Sequence, residues 1–242
     1  MVRAALPVTF VLSMAGGESF RPRPAVAQYT ESAYFQAWTD LATIYNLGER
    51  WRYDGDYGLR AAVSTGDFTQ IFLRPKVRFE AASWLRLHAG VGWFHTFFRD
   101  ASDADEIRPW VGVRIVGPRP GGFVIQNYFR LETRFFEFGR GVERAVWRGR
   151  WQLQARSPDF RIGSAERFYA VAFSEVFNTF DGDVEGFSVE RLRLNAGLGR
   201  TFSSTWRAEL NGLFQSGRVE EGLTGFDLDD IILRLRMFYT FN

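Results

Sequence analysis

The chain has 242 residues, of which 46% are hydrophobic and 24% charged, so it can form a folded core and is not a disordered polymer. It contains no cysteine, which excludes disulfide bonds and thiolate metal sites. After the N-terminal segment no run of about 18 apolar residues occurs, and a transmembrane helix is not expected. The formal charge is +2, but the arginines recur at every second position instead of clustering, so we expect no nucleic-acid partner.

The N-terminal segment resembles an export signal. A cationic start at Arg3 precedes a mostly apolar stretch, residues 4–16, which is too short to span a bilayer. Ala25-Val26-Ala27 then offers the small-x-small pattern of a cleavage site. A disordered cytosolic leader is the alternative interpretation. We predict three parts: a cleaved signal peptide over 1–27, a short periplasmic segment over 28–33 and a barrel domain over 34–242.

The rest of the chain is dominated by alternation of apolar and polar residues, which is the pattern of β-strands with two different faces. In the last segment one parity is apolar: Ile231, Leu233, Leu235, Met237, Tyr239 and Phe241. The other parity carries Asp230, Arg234, Arg236 and Thr240. The same split recurs upstream over 70–79, 85–97, 123–135, 144–154, 191–198 and 206–215.

The apolar parity of these seven segments carries no Asp, Glu, Lys or Arg. An Arg or Lys that faces lipid at mid-bilayer costs about 2–4 kcal/mol, so a charge-free parity is what a membrane-facing surface requires. A soluble barrel would alternate too, but this many strands would enclose a lumen too wide for side chains to fill tightly. The last strand also ends in an aromatic residue, Phe241, as outer-membrane barrel strands typically do.

We therefore predict an all-β fold, a closed antiparallel transmembrane β-barrel in the bacterial outer membrane. About eleven strands can be counted, with the segment 34–60 the least regular. Because single-chain bacterial barrels have even strand numbers, the sequence favours 12 strands, with 10 as the alternative. Short connections near 80–83, 117–121 and 201–205 alternate with longer ones at 99–106, 179–186 and 217–228. The expected partners are outer-membrane lipid and lipopolysaccharide, together with the barrel-assembly machinery through the strand that ends at Phe241.

Four segments in order resemble a known family. Residues 127–134 carry an alternating R-x-E-x-R, residues 147–153 form an Arg-rich strand, residues 175–178 read Glu-Val-Phe-Asn, and residues 190–199 alternate Arg with Leu. This order is similar to the domain-of-unknown-function family twenty-four-ninety, a group of predicted bacterial outer-membrane proteins. The resemblance covers roughly Trp38 to the C-terminus. It implies a barrel and brings no catalytic residues with it.

The polar parity is unusually rich in arginine. If the apolar parity faces lipid, these side chains line the lumen, where they would give a positive potential and bidentate donors for carboxylate or phosphate. The sequence therefore predicts a porin-like narrow channel or a binding pocket for small anions. The candidate anion-binding residues are Arg74, Lys76, Arg78, Arg130, Glu132, Arg134, Arg148, Arg150, Arg191, Arg193, Arg234 and Arg236.

Two other functions stay open. Arg and Glu on neighbouring strands could pair and close the lumen, which would make the barrel purely structural. A lipid-modifying enzyme would have to use His88 or His95, the only histidines, and no G-x-S-x-G elbow or other catalytic constellation accompanies them. The chain is therefore not expected to be an enzyme. No cofactor is expected, and the acidic loops around 100–106, 181–185 and 220–227 are better explained as solvated loops than as sites for Ca²⁺ or Mg²⁺.

Overall fold

The computed structural model describes residues 34–137, 142–180, 191–218 and 226–241, except for the side chains of 142–144, 218 and 226. The predicted signal peptide and the segment 28–33 lie outside this part of the chain. The described residues form one all-β unit with a single 3-10 turn, Pro120–Gly122. No helix within those ranges is long and apolar enough to cross a membrane.

The strands follow one another in chain order. They are β1 (Tyr34–Asn46), β2 (Trp51–Ala62), β3 (Phe68–Leu73), β4 (Lys76–Ala82), β5 (Leu85–Phe98), β6 (Ala104–Val116), β7 (Val124–Glu137), β8 (Val142–Arg156), β9 (Phe160–Ile162), β10 (Ala165–Phe180), β11 (Arg191–Thr201), β12 (Trp206–Arg218) and β13 (Phe226–Thr240).

β3 and β4 are two halves of one strand of the wall. Both pair with β2 and with β5 in unchanged register on either side of Arg74 and Pro75. Proline has no N–H to donate, so the ladder is interrupted at Pro75 without a change in direction. β9 pairs only with β10 and adds a short arm outside the wall. Among the described residues the wall therefore contains eleven strands.

The wall closes through its first and last strands. β1 pairs with β13 in parallel from Tyr34 beside Asp230 to Ile44 beside Thr240, and all other pairings are antiparallel. The predictions of 12 or 10 strands and of a purely antiparallel barrel are wrong. In an odd-numbered up-and-down barrel the first and last strands point the same way, so closure requires one parallel ladder. The irregular segment 34–60 supplies β1, one of the two strands of this seam, and most of β2, which pairs with the other edge of β1.

The two faces of the wall differ in polarity in the sense that the alternation predicts. Large aliphatic and aromatic side chains point outward, with Val111 57% exposed and Leu210 53% exposed. Charged and amide side chains point inward, and Glu132 is only 1% exposed. The barrel therefore has a polar interior and an apolar exterior, the reverse of a soluble domain.

The connections are segregated to two rims. β1 begins at one, here called the Tyr34 rim, and β13 ends beside Phe241 at the other, called the Phe241 rim. The connections that the sequence predicts to be short all lie at the Phe241 rim. The strands on either side of each predicted longer connection have their ends at the Tyr34 rim. Length alone does not distinguish the two rims, because the connection 157–164 at the Phe241 rim is also long and includes β9. Residues 138–141, 181–190 and 219–225 lie outside the described chain.

Candidate lumen site

The half of the lumen nearer the Tyr34 rim is filled by aromatic side chains with arginines stacked on them. The guanidinium of Arg60 lies 4.2 Å from the ring centre of Trp38 and 4.7 Å from that of Phe72. Arg108 lies 3.8 Å from the ring centre of Phe94, which is 1% exposed. Stacking of this kind lets a guanidinium be buried while its edge still donates hydrogen bonds. We call this region the packed half.

Buried carboxylates hold the arginines of the packed half in place. The Arg130 Nη2 atom lies 2.6 Å from Glu132, and the Arg148 Nε donates to the same carboxylate at 2.5 Å. Arg150 lies 3.7 Å from Glu132 and also donates to Glu175 at 2.5 Å. Arg150 therefore joins two carboxylates, and the pairing continues across β7, β8 and β10.

The network extends in both directions around the wall. On one side Glu106 accepts from Arg108 and from Arg134, each at 2.5 Å. On the other side Arg193 lies 3.2 Å from Glu175 and donates to Gln215. Within the described chain, loss of Glu132 would leave Arg130 and Arg148 without a carboxylate, and loss of Glu106 would do the same to Arg108 and Arg134.

The parallel seam has its own ion cluster. Asp40 on β1 accepts from Arg234 and, at 3.0 Å, from Arg236, both on β13. Nearer the Tyr34 rim, Gln36 donates to Asp230 at 2.5 Å. Side chains of the first and last strands are thus joined inside the barrel as well as through the parallel backbone ladder.

All twelve residues predicted as lumen candidates lie on the inward parity. Ten of them pair with carboxylates inside the barrel or are the carboxylate: Arg74, Arg78, Arg130, Glu132, Arg134, Arg148, Arg150, Arg193, Arg234 and Arg236. Arg191 lies half-exposed at the Tyr34 rim, 3.9 Å from Asp229. Lys76 has no carboxylate within 4.0 Å in the described part of the chain.

Sequence reasoning missed several of the partners. Asp40, Glu106 and Glu175 face the lumen and bind arginines there. The sequence predicts Glu106 in the connection 99–106, but β6 begins at Ala104, and Glu106 and Arg108 point inward from it. The alternation of β6 could have shown this, because Glu106, Arg108 and Trp110 share one parity opposite Ile107 and Val111.

The half of the lumen nearer the Phe241 rim contains a cavity of about 340 Å³. Trp38, Arg60 and Arg150 lie at its inner end, next to the packed half, and Arg207 and Phe238 lie toward the rim. Its lining includes eleven Arg or Lys residues and four Asp or Glu residues. The cavity therefore carries an excess of positive charge, and its volume falls in the range of about 300–1,000 Å³ that is typical of small-molecule pockets.

Several polar groups that line the cavity lack partners within the described structure. Lys76, Arg114 and Arg207 have no carboxylate within 4.0 Å. His88 is 4% exposed, and neither of its ring nitrogens has a hydrogen-bond partner. The Nε atom of Arg114 is buried without one as well. Buried polar groups normally have partners, so this set indicates a place where a polar ligand or water is needed.

The two histidines lie on opposite faces of β5. His88 points into the lumen, whereas His95 lies on the outer face near the Tyr34 rim. There the Nδ1 atom of His95 lies 3.0 Å from Asp105, which also accepts from the Trp93 indole at 2.9 Å. The two imidazoles are separated by the wall and cannot act on the same substrate.

The acidic loops hold no recognisable metal site where they are described. No group of three or more His, Asp or Glu residues within the ranges given above could hold an ion. The candidates around 181–185 and 220–221 lie outside the described residues. Asp103 stands near His95, with 3.9 Å between Oδ2 and Nε2.

A family model matches residues 35–224 of the chain. The chain belongs to the family described as "Protein of unknown function (DUF2490)". The resemblance stated from the sequence is thereby confirmed over most of the barrel. No curated protein matches the chain.

Glu132 is the position at which the network can be tested most sharply. Its side chain is fully buried among three arginines, and removal of one partner from a buried ion cluster typically costs about 3–5 kcal/mol. We expect Glu132→Gln to lower the free energy of unfolding by that amount in a urea titration of the refolded barrel. The matched control is Glu166→Gln, because Glu166 is exposed and pairs only with exposed Arg161; its change should stay below about 1 kcal/mol. Equal, small effects of both would show that the network does not stabilise the barrel.

Proposed function

We propose that the protein is a bacterial outer-membrane barrel that binds small anions in the half of its lumen nearer the Phe241 rim. In its resting state it is a blind pocket rather than an open porin-like channel. The observation that carries this proposal is the cationic cavity of about 340 Å³ inside a barrel whose exterior is apolar. In this proposal outer-membrane lipid and lipopolysaccharide surround the wall, and the assembly machinery recognises the strand that ends at Phe241.

The outer surface supports a membrane location. The middle of the wall presents aliphatic side chains outward, including Leu59, Val91, Val111, Leu210 and Leu233. Aromatic residues flank this band near both rims. At the Phe241 rim the ring of Phe241 contacts the rings of Tyr45 and Tyr239, and Trp206 packs against Tyr239. Phe35, Phe97, Phe180 and Phe214 are exposed toward the Tyr34 rim. An apolar band between two aromatic girdles is the surface of an outer-membrane barrel.

The odd strand number forces a choice of orientation. β1 and β13 run the same way, so β1 begins at the rim opposite Phe241. Six extended residues reach about 20 Å, less than the roughly 30 Å hydrocarbon core, so residues 28–33 and Phe241 cannot both be periplasmic by a direct path. We place the Phe241 rim in the periplasm, where the assembly machinery recognises the last strand, and give up the periplasmic assignment of 28–33 in this proposal.

The interior supports a pocket in preference to a pore. The packed half places stacked aromatic rings and shared carboxylates across the lumen, and the cavity ends at Trp38 and Arg60. Beyond that layer lie Phe94, Arg108 and Glu106, all nearly buried. An anion that enters from the Phe241 rim would meet positive potential and then a closed floor.

A structural barrel is the second candidate, and the pairing of nearly every arginine in the packed half favours it. The two candidates differ in the half nearer the Phe241 rim, where Lys76, Arg114 and Arg207 have no carboxylate partner. A purely structural interior has no use for a surplus of buried cations, because burying an unpaired charge is costly. A lipid-modifying enzyme receives no support from the two separated histidines.

The membrane location predicts a penalty for outward charge that depends on depth. Leu210→Arg, in the middle of β12, should destabilise the barrel in bilayers by about 2–4 kcal/mol, because the guanidinium would face hydrocarbon. Trp206→Arg, at the end of the same strand, should change it by about 0–1 kcal/mol. Unfolding by urea in lipid vesicles measures both. A neutral or stabilising effect of Leu210→Arg would indicate a wall that faces water.

The orientation can be read by labelling. The chain has no cysteine, so Ala101→Cys at the Tyr34 rim and Ser204→Cys at the Phe241 rim give single thiols without background. Both positions are exposed. In intact cells a maleimide that does not cross the outer membrane should label Ala101→Cys at once and Ser204→Cys only after the membrane is permeabilised. The opposite order would place the cavity mouth at the cell surface.

The blind pocket predicts little electrical conductance. We expect the wild-type barrel to give no stable single-channel current in planar bilayers, because the packed half blocks the lumen. The double variant Trp38→Ala, Phe94→Ala removes two buried rings of that half and should admit an anion-selective current. Leu210→Ala, an outward truncation, is the control and should stay silent. A steady wild-type current would show an open pore, and a cation-selective current in the double variant would contradict the positive lumen.

A further inference from the structure

We infer that one wall of the cavity, formed by β4, β5 and β6 with Tyr128 of β7, is a subsite for a phosphate group, either inorganic phosphate or a phosphate monoester. The subsite consists of Lys76, His88, Arg114 and Tyr128. This inference rests on the proposed function, since it names the class of anion that the same pocket takes.

The strand registers bring these side chains together. Arg78 is the partner of His88, and Arg86 is the partner of Arg114, so Lys76 and Arg114 are diagonal neighbours of His88 on either side. Long side chains reach such diagonal neighbours. Lys76, Arg78, His88 and Arg114 all line the cavity, whereas Arg86 does not.

Tyr128 completes the arrangement from the next strand. Its register partner is Arg114, whose guanidinium lies 4.9 Å from the centre of the Tyr128 ring. The ring leans across Gly112, where a Cβ would fall 2.8 Å from the Tyr128 hydroxyl. It thereby reaches His88, with 5.4 Å between ring centres in an edge-on contact. Gly112 thus makes room for the contact that holds the His88 ring.

Protein carboxylates do not satisfy these donors. Asp54 and Asp56 on β2 are the nearest acids by register, since Asp54 is the partner of Lys76. Their carboxylates pair with other residues, because Asp54 lies 3.7 Å from Arg78 and Asp56 binds Arg74. Lys76 and Arg114 are left without an anion, and His88 is buried with both nitrogens free.

The opposite wall of the cavity differs in this respect. Arg150 and Arg193 share Glu175, and Arg236 shares Asp40 with Arg234. Each of those cations is already paired with a fixed carboxylate. Within the described chain, the cavity-lining cations without a carboxylate partner are therefore Lys76 and Arg114 on the subsite wall and two arginines that stack on aromatic rings. Arg60 lies 4.2 Å from the ring centre of Trp38, and Arg207 lies 3.9 Å from that of Phe238.

The chemistry of the donors favours a tetrahedral oxyanion. An ammonium, a guanidinium, an imidazole and a phenol offer donors from four neighbouring strands and therefore from several directions. A phosphate has oxygens on every side to accept them, whereas a carboxylate presents two oxygens in one plane. The closed wall keeps lipid tails out of the lumen, so the phosphate is that of a soluble anion and not of a membrane lipid.

The test is titration of the detergent-solubilised full-length barrel with inorganic phosphate, followed by calorimetry and ³¹P line broadening. We expect saturable binding that weakens about tenfold or more in Lys76→Met and in Arg114→Met, because each removes a charge-assisted hydrogen bond. Arg207→Met is the matched control: it also removes a cation that lines the cavity and has no carboxylate partner, but on the far wall. It should change the affinity less than threefold. The slower migration of heated protein on a denaturing gel verifies that each variant is folded before titration.

The outcomes separate this inference from the function on which it rests. If wild-type protein binds phosphate but Arg207→Met weakens binding as much as Lys76→Met, the pocket stands and the subsite is wrong. If succinate or acetate binds as tightly as phosphate, the assignment to phosphate is wrong. If vesicles or micelles with phosphatidic acid compete for the site and soluble phosphate does not, the ligand is a lipid headgroup and the soluble class is wrong. If the wild-type barrel binds none of these anions, both the pocket and the subsite are wrong.

Discussion

Burial of Glu132 among Arg130, Arg148 and Arg150 is the interaction on which the packed half depends. A carboxylate that is 1% exposed could not remain charged in isolation, and three guanidinium groups would repel one another without it. Because Arg150 also binds Glu175, the cluster fixes side chains on β7, β8 and β10 relative to one another. The packed half is therefore rigid in a way that an arginine-lined lumen alone would not be.

The odd number of strands has consequences beyond the topology. It makes the β1–β13 seam parallel, and it places the two ends of the strand sequence at opposite rims. Inside the barrel, Asp40 of β1 forms ion pairs with Arg234 and Arg236 of β13, and these pairs reinforce the seam. Backbone ladder and ion cluster thus act together at the closing pair of strands, which is parallel here and would be antiparallel in an even-numbered barrel.

Function follows from the contrast between the two halves of the lumen. In the packed half, arginines stack on aromatic rings and share carboxylates, so their guanidinium groups already have partners within the protein. In the other half, smaller residues such as Ala42 leave room, and Lys76 and Arg114 face that room without carboxylate partners in the described chain. The same residue type is structural on one side and available to a ligand on the other, and the difference lies in the number of acids within reach.

The alternation of apolar and polar residues determined a great deal by itself. Strand parity is a local property, so the outward direction of Leu210 or Leu233 and the inward direction of Arg130 or Arg234 could be predicted without any knowledge of neighbours. The family could also be recognised from the order of four segments. The inward position of Glu106 is not predicted, because the sequence analysis ends the preceding connection at residue 106, whereas β6 begins at Ala104.

Only the tertiary structure decided the strand number, the closure and the division of the lumen. A parallel seam between residues that lie about 200 positions apart leaves no periodic trace in either segment, because each strand alternates in the same way whatever its partner. Which arginine meets which carboxylate depends on the register between strands, and register is set by the whole wall. For this reason the sequence predicts twelve lumen residues of equal standing, whereas the structure separates the arginines that hold the barrel together from Lys76, the one among the twelve that has no carboxylate partner in the described chain.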